Sequence, residues 1–334
     1  MKITNSFTQQ FDIQFPIIMA PIFLVSNLAM VKAGMQAGIA ATFPSLNYRN
    51  DGELESILDE LNAEQNNSVG RYGVNLIVQK SNPMYIKHLD ICVNKKVPFY
   101  ITSLGSPKEV IEKAHSYGAK VLCDVTNIAH AQKCYDLGCD GFIAVGQGAG
   151  GHAGNNPLML LVPALKKAFP DKIVIGAGGV ATGDALTSIL ALGGQGSSIG
   201  TRFIASTEAG VNDGYKEAIV NSSMEDIVMS TKISGTPCRV INTDYAKKIG
   251  YTQNWFERLL SNNKTTKKYF KMLVQFRGMK KLEQSVAGGS YKTLWVAGKS
   301  SEMVEDIRTC AEIIARLKQE TFQSLDNLRD LIKA

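Results

Sequence analysis

No stretch of this chain is apolar for the roughly 20 residues a membrane-spanning helix needs, so nothing in it reads as a bilayer crossing. The first residues, Met1-Lys-Ile-Thr-Asn-Ser-Phe-Thr-Gln-Gln, lack the apolar core of a secretory signal. The two absences together lead us to expect a cytoplasmic protein with no membrane partner. The six cysteines (Cys92, Cys123, Cys134, Cys139, Cys238 and Cys310) show no close-paired spacing, so no metal site is expected. In a reducing compartment they read as free thiols. Charge of one sign is scarce: 36 Lys and Arg against 30 Asp and Glu leave a net charge of +6. That excess tolerates anionic ligands but is no nucleic-acid footprint. No interleaving of basic and aromatic residues suited to stacking on bases is present, and no nucleic-acid partner is expected. A dinucleotide fingerprint is missing too. Gly176-Ala-Gly-Gly179 comes near, but the third glycine position is Ala181, and the motif belongs at the start of a fold.

What is present is a period. Hydrophobic residues make up 45% and charged residues 20% of 334, the balance of an ordinary globular protein. Short apolar runs recur, each followed by a segment of helical character. The runs are Pro16–Pro21, Gly38–Pro44, Tyr72–Val78, Val97–Thr102, Ala119–Val125, Cys139–Val145, Lys172–Ala177 and Gly196–Gly200. Between them, Asn27 is placed to cap a helix over 27–37, and Leu54, Ile57, Leu58 and Leu61 share one helical face. Pro107 suits a first helical turn. Strand runs alternating with helices argue for a parallel sheet. Eight such units predict an α/β fold, a (β/α)8 TIM barrel, with an open doubly wound sheet as runner-up.

A barrel takes about 250 residues, and the surplus fits an insertion after the eighth run. The domains predicted are a barrel over 1–210 and 290–334 and a small, mostly helical substrate or lid domain over 211–289. Lys264, Lys267, Lys268, Lys271, Lys280 and Lys281 in that insertion read as a solvated helix face. The end of the chain reads as one long helix from Ser301 to Ile332, with Ser301 as its cap and Met303, Ile307, Ile314 and Leu317 on its apolar face. His88, His115 and His130 fall in helical segments and read as surface residues. Trp255 and Trp295 read as packing residues.

In a barrel of this kind, ligands sit at the C-terminal ends of the strands. The first strand ends at Ala20-Pro21. Asn75 is a polar residue inside the third apolar run, and Asp124 lies in the fifth. A buried amide needs partners; neighbouring backbone or a heteroaromatic ring would serve Asn75, and a structural salt bridge or the same ligand would serve Asp124. The sixth strand runs into a loop with glycine at 146, 148, 150, 151 and 154, whose single ionisable side chain is His152. Glycine at such density is explained either by close approach of backbone to a ligand or by a plain flexible loop. The seventh and eighth strands end in Gly178-Gly179 and Gly200-Thr201-Arg202. Barrels often bind phosphate at these two strand ends, and freed backbone N–H groups there suit an anion. The plain alternative is a pair of tight turns, with Arg202 pointing outward into an ion pair.

Pro16-Ile-Ile-Met-Ala-Pro21, Gly73-Val-Asn75, Gly150-Gly-His152, Ala177-Gly-Gly179 and Gly200-Thr-Arg-Phe203, in this order, resemble the nitronate monooxygenase family, formerly called 2-nitropropane dioxygenases. The likeness covers Pro16 to about Glu208 and the closing Trp295-Val-Ala-Gly298. It implies an FMN-bearing barrel with a small inserted domain, and it implies His152 as the active-site base. FMN contacts carry over to Ala20, Pro21, Asn75, Gly151, Gly178, Gly179, Gly200 and Thr201; Asp124 and Gly150 join them as cofactor candidates from their places at the ends of strands five and six.

Two positions depart from the family pattern. Many members have Gln-Gly-x-Glu-Ala-Gly-Gly-His, where this chain has Val145-Gly-Gln-Gly148-Ala-Gly-Gly-His152. Many have Ala-Pro-Met where this chain has Ala20-Pro21-Ile22. Both bear on substrate more than on cofactor. The expected reaction is oxidation of alkyl nitronates or nitroalkanes, with O2 or another acceptor as co-substrate. The alternatives are a quinone or enoyl-thioester reductase that draws on NAD(P)H, and a flavin-free barrel for a phosphorylated small molecule. Oligomeric state is not read from the sequence, and a homodimer is one option.

Overall fold

The computed structural model describes residues 2–79, 81–231, 237–252 and 294–332. The lysine cluster of the insertion and Trp255 lie outside the described residues. Among the described residues, eleven strands run β1 (Ile17–Met19), β2 (Ala40–Pro44), β3 (Arg71–Ile77), β4 (Phe99–Ser103), β5 (Lys120–Val125), β6 (Gly141–Val145), β7 (Gly151–His152), β8 (Ile173–Ala177), β9 (Gly196–Ile199), β10 (Ile227–Ser230) and β11 (Cys238–Ile241). Eight of them, β1-β2-β3-β4-β5-β6-β8-β9, form a closed barrel, with β9 pairing back in parallel to β1. These are the eight predicted runs. Each is apolar on both faces because each faces the barrel interior on one side and a helix layer on the other.

Two hydrophobic clusters separate across the sheet. Ile18, Ala40, Ile101, Leu122, Ile143 and Ile175 point inward. Their strand neighbours, such as Ile17, Ala41, Tyr100, Val121, Phe142 and Val174, point outward into the core beneath the helices. The period of two thus places alternate residues in different cores.

The N-terminal end of the barrel is plugged. A short helix, Ser6–Gln10, is held by a capping box in which the Asn5 side chain accepts from the Thr8 N–H and the Thr8 hydroxyl answers. Its Phe7 lies 4.9 Å from Phe11, and Phe11 meets Phe99 edge-on at 5.2 Å. The Phe99 ring crosses the barrel because β3 offers Gly73 there; a Cβ on Gly73 would come within 2.4 Å of the ring. The bottom is therefore aromatic and dry, and ligand access is left to the opposite end.

Asn27 caps the helix Leu28–Gln36 as predicted, accepting from the Met30 N–H. Two expectations need correction. The last helix begins at Cys310, not at Ser301, and runs to Ile332. Before it, Lys299–Met303 is a 3-10 turn, and the segment to 309 is irregular. Asp306 is the cause: it bridges Arg202, Arg308 and Arg316, which holds this stretch against the barrel instead of letting it coil. Met303 and Ile307 are consequently exposed, while Ile314 and Leu317 are buried. His88, expected on the surface, is 2% exposed, because it shares the buried stripe of helix Tyr85–Asn94 with Leu89 and Cys92; burial pushes its imidazole below the ordinary range. The six cysteines are all free and buried.

The described part of 211–289 contains the helices Asp213–Val220 and Asp244–Ile249, and also β10 and β11, which pair antiparallel. No helix among the described residues is long and apolar enough to cross a membrane.

Phe7 is fully buried and has no substitute in the plug. Phe7→Ala is expected to lower unfolding stability by about 3–5 kcal/mol, read as a fall in the urea midpoint. A midpoint unchanged from the wild type would show that the plug does not support the barrel.

Candidate functional site

The C-terminal rim of the barrel gathers most of the singled-out residues. The glycine loop after β6 folds over the turn after β8. A Cβ on Gly148 would meet the backbone of Gly179 at 2.9 Å, and one on Gly178 would meet the Ala149 nitrogen at 2.4 Å. Gly150 lies against the returning segment Ala297-Gly298, with its imagined Cβ 2.6 Å from the Gly298 nitrogen. Only glycine permits these approaches. Gly178 and Gly179 also have φ of +103° and +89°, a region other residues rarely adopt. The segment that leaves the insertion is tied in by two bonds: Gly298 N–H donates to Thr201 Oγ1 at 3.0 Å, and Lys299 N–H donates to the Gly148 carbonyl at 3.2 Å.

The turns after β8 and β9 are adjacent, since the strands pair at Ala177 and Ser198. The backbone N–H groups of Gly179, Gly200 and Thr201 donate to no acceptor among the described residues. Gly179 is exposed and Thr201 opens a short helix, which leaves these groups free to meet a ligand. Three at one rim, on turns about one strand spacing of 4.8 Å apart, form a set whose chemistry suits an anion with several oxygens. There is room for one, because a Cβ on Gly179 would meet nothing within 4 Å. Arg202 takes no part. It is buried against Asp306, donating to its carboxylate at 2.6 Å and its carbonyl at 2.7 Å, which is the outward ion pair.

Around the rim, Ala20 lies next to Gly200, whose imagined Cβ would sit 3.6 Å from the Ala20 methyl. The Ala20-Pro21 turn is braced by Ser26, whose hydroxyl donates to the Ala20 carbonyl at 3.2 Å and accepts from Ile22 N–H at 2.9 Å. Across the mouth, Asn75 donates to the Ile101 carbonyl at 3.2 Å and to Ser103 Oγ at 2.8 Å. The Ser103 hydroxyl in turn donates to the Asp124 carboxylate at 2.5 Å. Asp124 thus has a hydroxyl partner rather than a salt bridge. Ser103 and Ser26 were missed in the sequence. Only their positions, at the end of a strand and in the loop after one, could have marked them.

Gly151 and His152 form β7, an edge strand paired antiparallel with β11 of the insertion, Gly151 opposite Arg239 and His152 opposite Cys238. The loop that carries the imidazole is therefore held by the barrel on one side and by the insertion on the other. Tyr215 fixes that junction: its ring stacks on Trp295 at 5.4 Å, and its hydroxyl donates to the Val296 carbonyl at 2.5 Å.

A family model described as nitronate monooxygenase matches residues 41–320. The chain belongs to the nitronate monooxygenase family. It is similar at 23% identity, over 97% of both chains, to a (3aS,4S,5R,7aS)-5-hydroxy-7a-methyl-1-oxo-octahydro-1H-indene-4-carboxyl-CoA dehydrogenase of Rhodococcus jostii (strain RHA1). It is 29% identical to a probable nitronate monooxygenase of Staphylococcus saprophyticus, over 69% of this chain and 65% of the relative. In structure it is similar to FabK from Thermotoga maritima, with a TM-score of 0.84, 26% identity and coverage of 98% and 99% of the two chains. The chain is an oxidoreductase of this family.

Within this family member, Asp124 is the one rim carboxylate with a strongly displaced proton affinity. Desolvation pushes it up to about 6, against the opposing pull of the Ser103 hydroxyl, even though the residue keeps some exposure. The folded value lies above the unfolded one, so the folded state binds the extra proton. Its stabilising effect is complete below about pH 4 and is lost as pH rises through 6. Asp124→Asn removes this dependence. The variant is expected to match or exceed wild-type stability at pH 7.5 by on the order of 1 kcal/mol, allowing for solvent screening. Urea melts between pH 4 and 8 check it, and a variant less stable than the wild type at pH 7.5 would contradict it.

Proposed function

We propose that this chain is an FMN-dependent oxidoreductase that oxidises alkyl nitronates and nitroalkanes with O2. The observation that carries the reading is the set of three unpartnered backbone donors at Gly179, Gly200 and Thr201. A phosphate monoester satisfies them, in the place where barrels often hold one. The Gly150-Gly151 loop and the Ala20-Pro21 turn flank the place for the ring system. Asn75 and Asp124 present polar edges toward it, with Ser103 linking them. Bound there, FMN supplies the electron-accepting chemistry that no side chain of the chain can.

The protein's own part is position and proton transfer. His152, neutral, takes the α-proton of a nitroalkane, work suited to an imidazole near neutral pH. A nitronate arrives without that proton and needs the base less. The barrel over 1–210 and 290–334 forms the floor, and the insertion over 211–289 serves as the lid, joined to the imidazole loop through β11.

A second reading is a reductase that takes electrons from NAD(P)H and passes them to a quinone or an enoyl thioester. It is favoured by the near full-length likeness to a carboxyl-CoA dehydrogenase.

Anaerobic mixing separates the two. The bound flavin is expected to bleach rapidly with propyl-2-nitronate and only slowly with NADH or NADPH. His152→Asn is expected to lower kcat/KM for neutral 2-nitropropane by about 10²–10⁴-fold while leaving nitronate oxidation within a few fold. Fast bleaching by NADPH with none by nitronate would give the chain to the reductase reading, and a preparation without flavin that takes none up would end both.

A further inference from the structure

The top layer of the barrel interior is polar on one side only. Inward-pointing residues alternate along each strand. Above Ile101, Leu122, Ile143 and Ile175 of the aliphatic layer, the next inward positions are Ser103, Asp124, Val145 and Ala177. Asn75 joins them from β3, where it pairs with Ile101. The other three strand ends supply only Ala20, Pro44 and Ser198. Asp124 is therefore the one ionisable side chain of this layer among the described residues.

Its hydrogen bonding is one-sided. The Ile101 carbonyl can only accept, so the Asn75 atom that meets it at 3.2 Å is the amide nitrogen, and the same nitrogen donates to Ser103 Oγ at 2.8 Å. That fixes the direction of the chain: Ser103 donates its hydroxyl to Asp124 Oδ2. Oδ1 of Asp124 meets no donor among the described residues, and the neighbour on the other side, Val145, is apolar. A carboxylate held by one donor in a layer without a cation is poorly compensated. Burial pushes its proton affinity up to about 6, and the Ser103 hydroxyl is what opposes this. Two other titratable groups stand near. The Cys134 thiol, on the helix Ile128–Asp136 behind β5, feels the Asp124 charge. The His152 imidazole is carried by the loop after β6, which packs on Thr126 through Gly154, whose imagined Cβ would lie 3.3 Å from the Thr126 side chain.

We propose that Asp124 meets the accepting edge of the ligand's ring as a neutral, proton-donating carboxyl, so that closing the mouth with a flat neutral ring takes up one proton from solvent. This rests on the reading of the rim as a flavin site and deepens it by fixing the protonation state in which the site binds. A ring laid over the mouth removes the water that still reaches the carboxyl, which disfavours its charge further. The ligand-bound state then keeps the proton to higher pH than the free state. Affinity is full below about pH 5, where both states are protonated. It falls by up to about tenfold per pH unit above 6, until the bound state also gives up the proton.

The test measures binding without turnover. Riboflavin is the probe, because the FMN phosphate itself titrates near pH 6 and would mask the effect. Its affinity for the flavin-free protein is read from flavin fluorescence between pH 5 and 8.5. Calorimetry at pH 7 in two buffers of different ionisation enthalpy counts the protons. The wild type is expected to lose about five- to tenfold in affinity from pH 6.5 to 7.5, and to take up at least about half a proton per riboflavin at pH 7. Asp124→Asn, permanently neutral and still a donor, is expected to show neither effect and to bind riboflavin at least tenfold more tightly than the wild type at pH 8.5. His152→Asn is expected to keep the wild-type slope. Wild-type affinities within twofold of each other at pH 5.5 and 8.5, with no proton taken up, would overturn the proposal. So would a slope that survives in Asp124→Asn or vanishes in His152→Asn. The proton count needs only the wild type, so it decides the matter even where a variant does not fold. Failure of both FMN and riboflavin to bind at any pH removes the flavin reading and this proposal together, whereas tight binding without proton uptake removes this proposal alone.

Discussion

Backbone packed directly on backbone is the constraint from which the upper half of this molecule follows. Gly148 against Gly179, Gly178 against Ala149, and Gly150 against Gly298 all lie closer than any side chain would permit. Three segments far apart in the chain thereby share one small volume: the loop after β6, the turn after β8, and the strand returning from the insertion. The turn after β9 joins them through the bond from Gly298 to the Thr201 hydroxyl. Because these segments pack through their Cα atoms, their N–H groups are left to point elsewhere. Of the unpartnered donors, Gly179 belongs to this packing, while Gly200 and Thr201 are freed where β9 ends and a short helix begins.

Below this rim the barrel supplies stiffness and a gradient of polarity. Phe7, Phe11 and Phe99 close the bottom, and a layer of aliphatic side chains fills the middle. The polar chain from Asn75 through Ser103 to Asp124 appears only at the top. The segment beyond β9 completes the arrangement, since β11 lends the imidazole loop an edge to pair with. The polar groups of the rim are thus contributed by different elements, held in register by hydrogen-bonded backbone.

The eight barrel strands were legible because each is a short apolar run bounded by glycine, proline or a capping residue, as at Asn27. The glycine turns were legible as rim turns because they follow the seventh and eighth apolar runs. What escaped had physical reasons. Ser103 ends a strand like any serine, and its value comes only from having Asn75 and Asp124 on the neighbouring strands. Gly151–His152 is two residues long and becomes a strand only because Cys238 and Arg239 lie beside it. Arg202 had two readings until Asp306 was found beneath it. The same aspartate interrupts the terminal helix, a tertiary tie that overrode a run of good helix formers. His88 sits at a helical position that faces inward, which a lone histidine in a polar-looking helix does not announce.

The central claim is that backbone donors of two neighbouring turns hold a phosphate. Comparing affinities of the apoprotein for FMN and for riboflavin tests it most directly, since the two differ only in that group. FMN is expected to bind at least a hundredfold more tightly, about 2.7 kcal/mol. Equal affinities for the two would contradict it.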